Sequence, residues 1–141
     1  MLKAVVDTNV LVSGTIRQSG HPNRIMNAWR EGLFVLVTSE SLIEEAGRVF
    51  RYPRISQKYG LTEGQINRVL KSLERYAQIT PGKLKIHVIK EDPDDNQVIV
   101  AAVEAEADCM VSGDPHLLNL GSYRGIEIVP PGQFVKMLRS Q

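Results

Sequence analysis

The sequence predicts a three-layer α/β/α fold with a central, mainly parallel sheet. Two observations support this prediction: strand-like segments alternate with helical segments, and the strands are short and apolar, as strands are when helices cover both faces of a sheet. The chain has 141 residues, which is the length of one domain, so we expect a single domain over residues 1–141. In such sheets the functional site lies beyond the carboxyl ends of the strands.

Apolar periodicity and capping residues locate the individual elements. Strands are predicted at residues 3–7, 34–38, 109–111 and 126–129, with a further extended piece at 85–89. Helices are predicted at residues 8–14 (helix or turn), 23–31, 40–50, from 62 to 77 or 79, from 92 to about 105, and after 131. Ser39 and Asp92 are suitable N-caps for two of these helices, and another helix starts at Thr62.

The composition is that of an ordinary globular domain. Apolar residues make up 43% and charged residues 23% of the chain, and no apolar run approaches the roughly 20 residues needed to span a membrane. The single cysteine, Cys109, cannot form an internal disulfide, which suits a reducing compartment. Asp7 interrupts the apolar start, so we expect no leader peptide. We therefore expect a soluble, cytoplasmic protein that does not contact a membrane.

Charge is distributed unevenly along the chain although its net value is only +1. Residues 48–90 contain ten basic and two acidic residues, a net charge of +8. Residues 91–127 contain one basic and nine acidic residues, a net charge of −8. This asymmetry indicates a surface that attracts anions beside a pocket that attracts cations.

Four acidic residues are expected to meet at one edge of the sheet. Asp7 and Asp114 each follow a predicted strand. Glu45 lies about 100° from the centre of the apolar stripe of its helix, whereas Glu44 lies opposite that stripe and is expected in solvent. If Asp92 is the N-cap of its helix, Asp95 occupies the first turn, where the helix dipole favours a carboxylate.

These acids favour a divalent cation. Carboxylates brought together raise one another's pKa, and a bound cation removes that cost. The hard oxygen ligands, with no cysteine or histidine pair at ligand spacing, favour Mg²⁺ or Mn²⁺ over Zn²⁺. Each acid taken singly also has a purely structural explanation, as a turn residue, a helix cap or an exposed side chain. The metal prediction depends on the four acting together.

Several ordered motifs resemble PIN-domain nucleases, especially small prokaryotic proteins related to VapC-type toxins. The motifs are residues 7–13 (DTNVLVS), 39–45 (SESLIEE), 51–53 (RYP), 92–96 (DPDDN), 111–118 (VSGDPHLL) and 130–134 (PPGQF). Together they cover nearly the whole chain, and residues 55–89 are its least diagnostic part. One motif alone would be a weak match, but the ordered set is specific.

The resemblance implies a PIN-like α/β/α domain with a metal-dependent endoribonuclease site. Its catalytic acids correspond to Asp7, Glu45, Asp95 and Asp114, and the metal ligands among them to Asp7, Asp95 and Asp114. Asn9 would support the first acid, and Ser112 replaces a threonine that is common in the family. Asp92 is an alternative to Asp95, or assists it. Glu44 remains the alternative to Glu45.

The resemblance also implies cofactors and partners. One or two Mg²⁺ or Mn²⁺ ions would activate water for hydrolysis of an RNA phosphodiester bond. The RNA would be single-stranded or structured, and relatives commonly pair with an antitoxin protein and form homodimers. A weaker prediction concerns basic side chains that would hold the RNA backbone. They are Arg48, Arg51, Arg54, Arg68, Lys71 and Arg75.

Two other functions compete with the nuclease. One is a non-catalytic module of the same fold that binds RNA or a protein partner, although binding alone does not require four acids. The other is a receiver-like domain in which an aspartate near Mg²⁺ accepts a phosphoryl group. That domain needs a lysine after a late strand, and residues 129–131 (VPP) supply none.

Overall fold

The computed structural model describes all 141 residues. Its six strands are β1 (Lys3–Val6), β2 (Val35–Ser39), β3 (Gln78–Thr80), β4 (Cys109–Val111), β5 (Ser122–Tyr123) and β6 (Ile126–Val129). Its eight α-helices are α1 (Thr8–Ile16), α2 (His21–Arg30), α3 (Glu40–Arg51), α4 (Pro53–Ser56), α5 (Glu63–Tyr76), α6 (Asn96–Ala105), α7 (Pro115–Leu120) and α8 (Pro131–Arg139), and a 3₁₀ turn spans Pro93–Asp95.

The strands form one sheet in the order β3-β2-β1-β4-β6-β5. All neighbouring pairs are parallel except β5 and β6, which are antiparallel. The predicted mainly parallel sheet is therefore confirmed. Since β1 and β4 are neighbours, with Val6 in register with Val111, the residues that follow these two strands emerge side by side at one edge.

Side chains of successive strand residues pack against opposite helix layers, which explains why the strands are apolar throughout. In β1, Ala4 and Val6 belong to a buried cluster with α1, α2, α3, α5 and α8, whereas Val5 belongs to a second cluster with α6 and α7. Both clusters are continuous and fully internal. They give the protein the three layers that the sequence predicts.

The predicted helix starts after Ser39 and Thr62 are confirmed by their hydrogen bonds. The Ser39 hydroxyl accepts a bond from the Leu42 amide at 3.4 Å. Thr62 and Gln65 form a reciprocal capping box, in which each side chain accepts a bond from the other residue's backbone N–H. These caps satisfy amides that have no partner inside the helix.

Two expectations about the segment between α5 and α6 are wrong. Helix α5 ends at Tyr76, before residue 77 or 79, and residues 78–80 form the short edge strand β3. Residues 85–89 form no strand. Side chains of α6 hold that segment: Glu104 binds three backbone N–H groups between residues 82 and 84, and Asn96 binds Val88 and Ile89.

Besides β3, three short elements were not predicted: α4, α7 and β5. Each is only two to six residues long, too short to show a period. Helix α7 begins at Pro115, where the sequence suggests only a turn. The predicted cap at Asp92 is confirmed, since the Asp92 side chain accepts a bond from the Asp94 amide. The first turn after it is a 3₁₀ turn, however, and the α-helix begins only at Asn96.

None of the helices combines the length and the apolar character that crossing a membrane would require.

Candidate metal centre

Asp7 directly follows the central strand β1 and is the N-cap residue of α1. It is only 5% exposed, and its backbone N–H still donates to Val111 on the neighbouring strand, at 2.9 Å. The ladder between β1 and β4 therefore fixes the position of the Asp7 backbone. Burial raises the pKa of its carboxyl, the hydrogen bond from Ser112 lowers it, and the nearby charges of Asp114 and Asp92 raise it further. The net shift is upward.

Ser112 joins the acid of one strand to the acid of the next. Its hydroxyl donates to Asp7 Oδ2 at 2.7 Å and accepts a bond from the Asp114 backbone N–H at 2.9 Å. The Ser112 residue is fully buried, so water does not compete for these bonds. One hydroxyl thus sets both the rotamer of Asp7 and the start of the loop that carries Asp114.

Three carboxylates come together beside this pair. Asp92, Asp95 and Asp114 each offer an oxygen, and these oxygens all lie within 4.8 Å of one another. The 3₁₀ turn Pro93–Asp95 explains part of this arrangement, because residues three apart in such a turn lie on the same side. Asp114 Oδ1 caps α7 by accepting bonds from the His116 and Leu117 amides, so its other oxygen is available to a ligand.

Asp95 has the most unusual environment of the three. Its residue is 7% exposed, and its Oδ2 is a buried atom with no hydrogen-bond partner. Burial, together with the charges of Asp114, Asp7 and Asp92, raises the pKa of Asp95 to about 7. Buried carboxylate oxygens are normally paired. An unpaired one, in a residue that groups with two other carboxylates, fits a cation ligand.

Glu45 approaches the same region from helix α3. Its side chain is half-buried, whereas Glu44 is exposed, as the helical phase predicts. Burial raises the pKa of Glu45, and the charge of Asp7 adds to this effect, while the Thr8 hydroxyl and the Arg48 guanidinium act in the opposite direction. The influence of Asp7 shows that the two carboxyls sense each other's charge.

The structure thus groups the predicted acids in two sets. Asp95 and Asp114 belong to the tight cluster, and its third member is Asp92 rather than Asp7. Asp7 is connected to the cluster through Ser112, and Glu45 is within electrostatic range of Asp7. The sequence interpretation gave Asp92 a capping role and also named it as an alternative or assistant to Asp95; the spacing of three residues between the two acids is consistent with their grouping. Asn9 is exposed in the first turn of α1, and its supporting role stays a prediction.

The basic residues predicted to bind RNA differ in the side-chain contacts that they already make. Arg51 forms an ion pair with Glu63 at 3.0 Å and also donates to Asn67. Arg54 lies 5.4 Å from the centre of the Tyr52 ring, and Arg75 stacks in the same way on Tyr76. The remaining three, Arg48, Arg68 and Lys71, are exposed.

Comparison with known proteins identifies the family of the chain. The family model described as PIN domain matches residues 3–116. The chain belongs to the PIN-domain family. Membership gives it a nuclease-like fold, and the matched residues include every member of the acidic cluster, which is compatible with metal binding. An uncharacterized protein of Methanocaldococcus jannaschii is similar to this PIN domain, with 32% identity over 119 residues that cover 84% of this chain and 75% of that protein.

Proposed function

We propose that this PIN domain is a metal-dependent endoribonuclease that hydrolyses phosphodiester bonds in RNA. The observation that supports the proposal most directly is the buried, unpartnered Oδ2 of Asp95, a residue whose carboxylate groups with those of Asp92 and Asp114. A purely structural role for Asp95 would leave that atom unsatisfied at a cost of about 1–3 kcal/mol. A cation ligand explains both the atom and its neighbours.

The donor set fits one or two Mg²⁺ or Mn²⁺ ions. The site offers only carboxylate oxygens, which these ions prefer, and Cys109 is buried within β4. Asp95, Asp114 and Asp92 would hold the ion, with Asp7 as a further ligand. A bound divalent ion supplies positive charge to the phosphate oxygens and lowers the pKa of a coordinated water.

The chain's own residues complete the site. Ser112 keeps Asp7 and Asp114 in a fixed relation, so their oxygens need little reorganisation. Glu45, with its raised pKa, would exchange a proton with the attacking water or the leaving oxygen. Arg48, one turn further along α3, would contact the RNA backbone.

The test is cleavage of end-labelled single-stranded and structured RNAs by the purified protein, with Mg²⁺, with Mn²⁺ or with a chelator. We expect metal-dependent cutting that falls about 100-fold or more in Asp7→Asn and Asp114→Asn. Glu45→Gln should also lose activity, whereas the matched change Glu44→Gln, on the exposed side of the same helix, should not. Each variant must retain its circular dichroism spectrum. Cutting that survives chelation, or that persists in folded Asp7→Asn, would contradict the proposal.

A cellular role as the toxin of a toxin–antitoxin pair, with a small antitoxin protein and a homodimeric state, is supported by the resemblance to VapC-type proteins. Controlled expression in a bacterial host tests it. We expect growth arrest by the unmodified protein and none by Asp7→Asn, and an unchanged growth rate with the active protein would argue for another cellular role. Size-exclusion chromatography with light scattering tests the homodimer.

A further inference from the structure

Residues 82–90 form a strap that lies along helix α6 and leads into the acidic cluster. One end is tied to Glu104, whose carboxylate accepts bonds from the backbone N–H groups of Gly82, Lys83 and Leu84 at 2.7, 2.8 and 3.3 Å. The other end is tied to Asn96, whose side chain binds the backbone on both sides of residue 89. The two anchors are eight residues apart, or about 12 Å along the helix.

The strap is part of the folded core rather than a free loop. Ile86 and Ile89 are buried in the cluster formed by α6 and β4. The amide of Asn96 also donates to the carbonyl of Pro93, so the same side chain positions the strap and the turn that carries Asp95. The strap and the acidic cluster are therefore parts of one rigid unit.

All ionised side chains of the strap are positive. Lys83, Lys85 and Lys90 are exposed, and so is His87, while no acidic residue occurs between residues 82 and 90. The protein has a single ion pair, between Arg51 and Glu63, so none of the three lysines is paired. Even if the charge of Glu104 is counted against them, the net charge is +2.

The position of this charge relative to the acids is the unusual feature. Lys90 is two residues before Asp92, a member of the acidic cluster, so the two backbones are about 7 Å apart at most. Positive side chains thus occur from the segment tied to the C-terminal end of α6 up to the edge of a strongly acidic centre. Such a sequence of charges suits a polyanion whose chain passes along the strap and places one phosphate at the centre.

We infer that the strap lysines Lys83, Lys85 and Lys90 form the main docking track for the RNA backbone on one side of the cleaved bond. This inference rests on the proposed nuclease function and names the surface that delivers the substrate. The α5 side chains Arg68, Lys71 and Arg75 contribute less, because they lie on the opposite helix layer from α6 and Arg75 is stacked on Tyr76.

A pair of charge-matched variants tests the inference. The strap variant carries Lys83→Gln, Lys85→Gln and Lys90→Gln, and the control variant carries Arg68→Gln, Lys71→Gln and Arg75→Gln. All six side chains are exposed, so both variants should fold. Binding of a fluorescent single-stranded RNA is measured in the Asp7→Asn background, which prevents cleavage, as a function of salt concentration.

We expect the strap variant to bind RNA about tenfold or more weakly than the parent at moderate salt. The slope of log K against log salt should fall by about 2, since each lost phosphate contact on a single strand contributes about 0.7. The control should lose less than about threefold. Equal losses in the two variants, a larger loss in the control, or no loss in the strap variant would overturn the inference.

A second measurement separates failure of the track from failure of the nuclease. Hydrolysis of bis(p-nitrophenyl) phosphate with Mn²⁺ is measured in the strap variant with Asp7 intact, because this small diester needs no track. We expect unchanged hydrolysis beside slower cutting of RNA. If the parent protein hydrolyses neither substrate, the nuclease proposal fails while the binding comparison still tests the track. Strap-dependent binding to anionic lipid vesicles without any RNA binding would also overturn the inference.

Discussion

Ser112 links Asp7, which follows β1, to Asp114, which follows β4, through two hydrogen bonds. Its hydroxyl is both donor, to Asp7, and acceptor, from the amide of Asp114. A buried group that satisfies two partners leaves two unpaired groups when it is removed. Removal of the Ser112 hydroxyl should therefore affect the acidic centre, because one of its partners is the carboxylate of Asp7.

Ser112→Ala should therefore lower stability by about 1–3 kcal/mol and slow metal-dependent RNA cleavage by about tenfold to a hundredfold. Ser112→Thr is the matched control, since it keeps the hydroxyl and should retain most of the activity. Urea unfolding and cleavage rates provide the two measurements. An alanine variant as active as the parent would show that Asp7 does not need this bond.

Asp95 makes the metal-free protein sensitive to pH. Its pKa rises from the ordinary value of 3.8 to about 7 in the fold, and the pKa values of Asp7 and Glu45 are also raised. Between about pH 4 and 7 the unfolded chain has released the Asp95 proton while the folded chain retains it. The free energy of unfolding must then decrease as pH rises through this range and level off above it.

We expect the Tm of the metal-free protein to fall by about 5 °C or more between pH 5 and pH 8. Mn²⁺ should raise the Tm more at pH 8 than at pH 5, because the carboxyl must lose its proton to bind the ion. Asp95→Asn should reduce both effects. Differential scanning calorimetry measures them, and a metal-free Tm that rises steadily from pH 5 to pH 8 would contradict the assignment.

Helix α6 holds both the strap formed by residues 82–90 and the turn that carries Asp95. Its first residue, Asn96, binds Val88, Ile89 and Pro93 through one buried amide, and Glu104 near its end binds the start of the strap. A helix that is apolar on its buried faces thus uses two polar side chains to hold a segment with no regular secondary structure. This explains how residues 82–90 remain ordered without a partner strand.

Replacing Asn96 should loosen the strap and the acidic turn together. Asn96→Ala leaves the amides of Val88 and Ile89 without partners and should lower the free energy of unfolding by about 3 kcal/mol. Hydrogen exchange of these two amides should accelerate. Gln97→Ala, which removes a single bond to Ser41, is the control and should cost less than about 1 kcal/mol. Unchanged exchange in Asn96→Ala would show that the core residues alone hold the strap.

The whole molecule is one sheet with a buried cluster on each face. Because β1, β2 and β4 contribute side chains to both clusters, the two layers cannot unfold independently without exposing the same strands. The close approach of α1 and α2 also depends on a small residue: a Cβ on Gly14 would lie 2.6 Å from Met26 Cγ. These contacts predict one cooperative unit over residues 1–141.

Core substitutions on opposite faces should therefore affect the same unfolding transition. Phe50→Ala removes a fully buried ring from one cluster, and Ile99→Ala removes a buried side chain from the other. Each should lower the free energy of unfolding by about 3–4 kcal/mol and leave a single transition. Chemical denaturation followed by fluorescence of Trp29 and by far-ultraviolet circular dichroism provides the check. Two separated transitions in either variant would contradict a single domain.

The order of elements and the identity of most site residues follow from the sequence. Continuous apolar runs predict β1, β2, β4 and β6, and a carboxylate after β1 and another after β4 must meet at one edge when those strands are parallel neighbours. The helical phase of α3 also distinguishes the half-buried Glu45 from the exposed Glu44, because the position of a residue in a long amphipathic helix determines which way its side chain points.

Tertiary structure decided the remainder. Edge strand β3 and residues 82–90 depend on distant partners, Ser39 in β2 for the former and Glu104 and Asn96 for the latter, so no local pattern distinguishes them. The grouping of Asp92 with Asp95 and Asp114 likewise depends on a 3₁₀ turn that brings two acids close to the residue that follows β4 by three positions. Periodicity records which face of an element is buried, but only packing determines which side chains from different elements come within reach of the same ion.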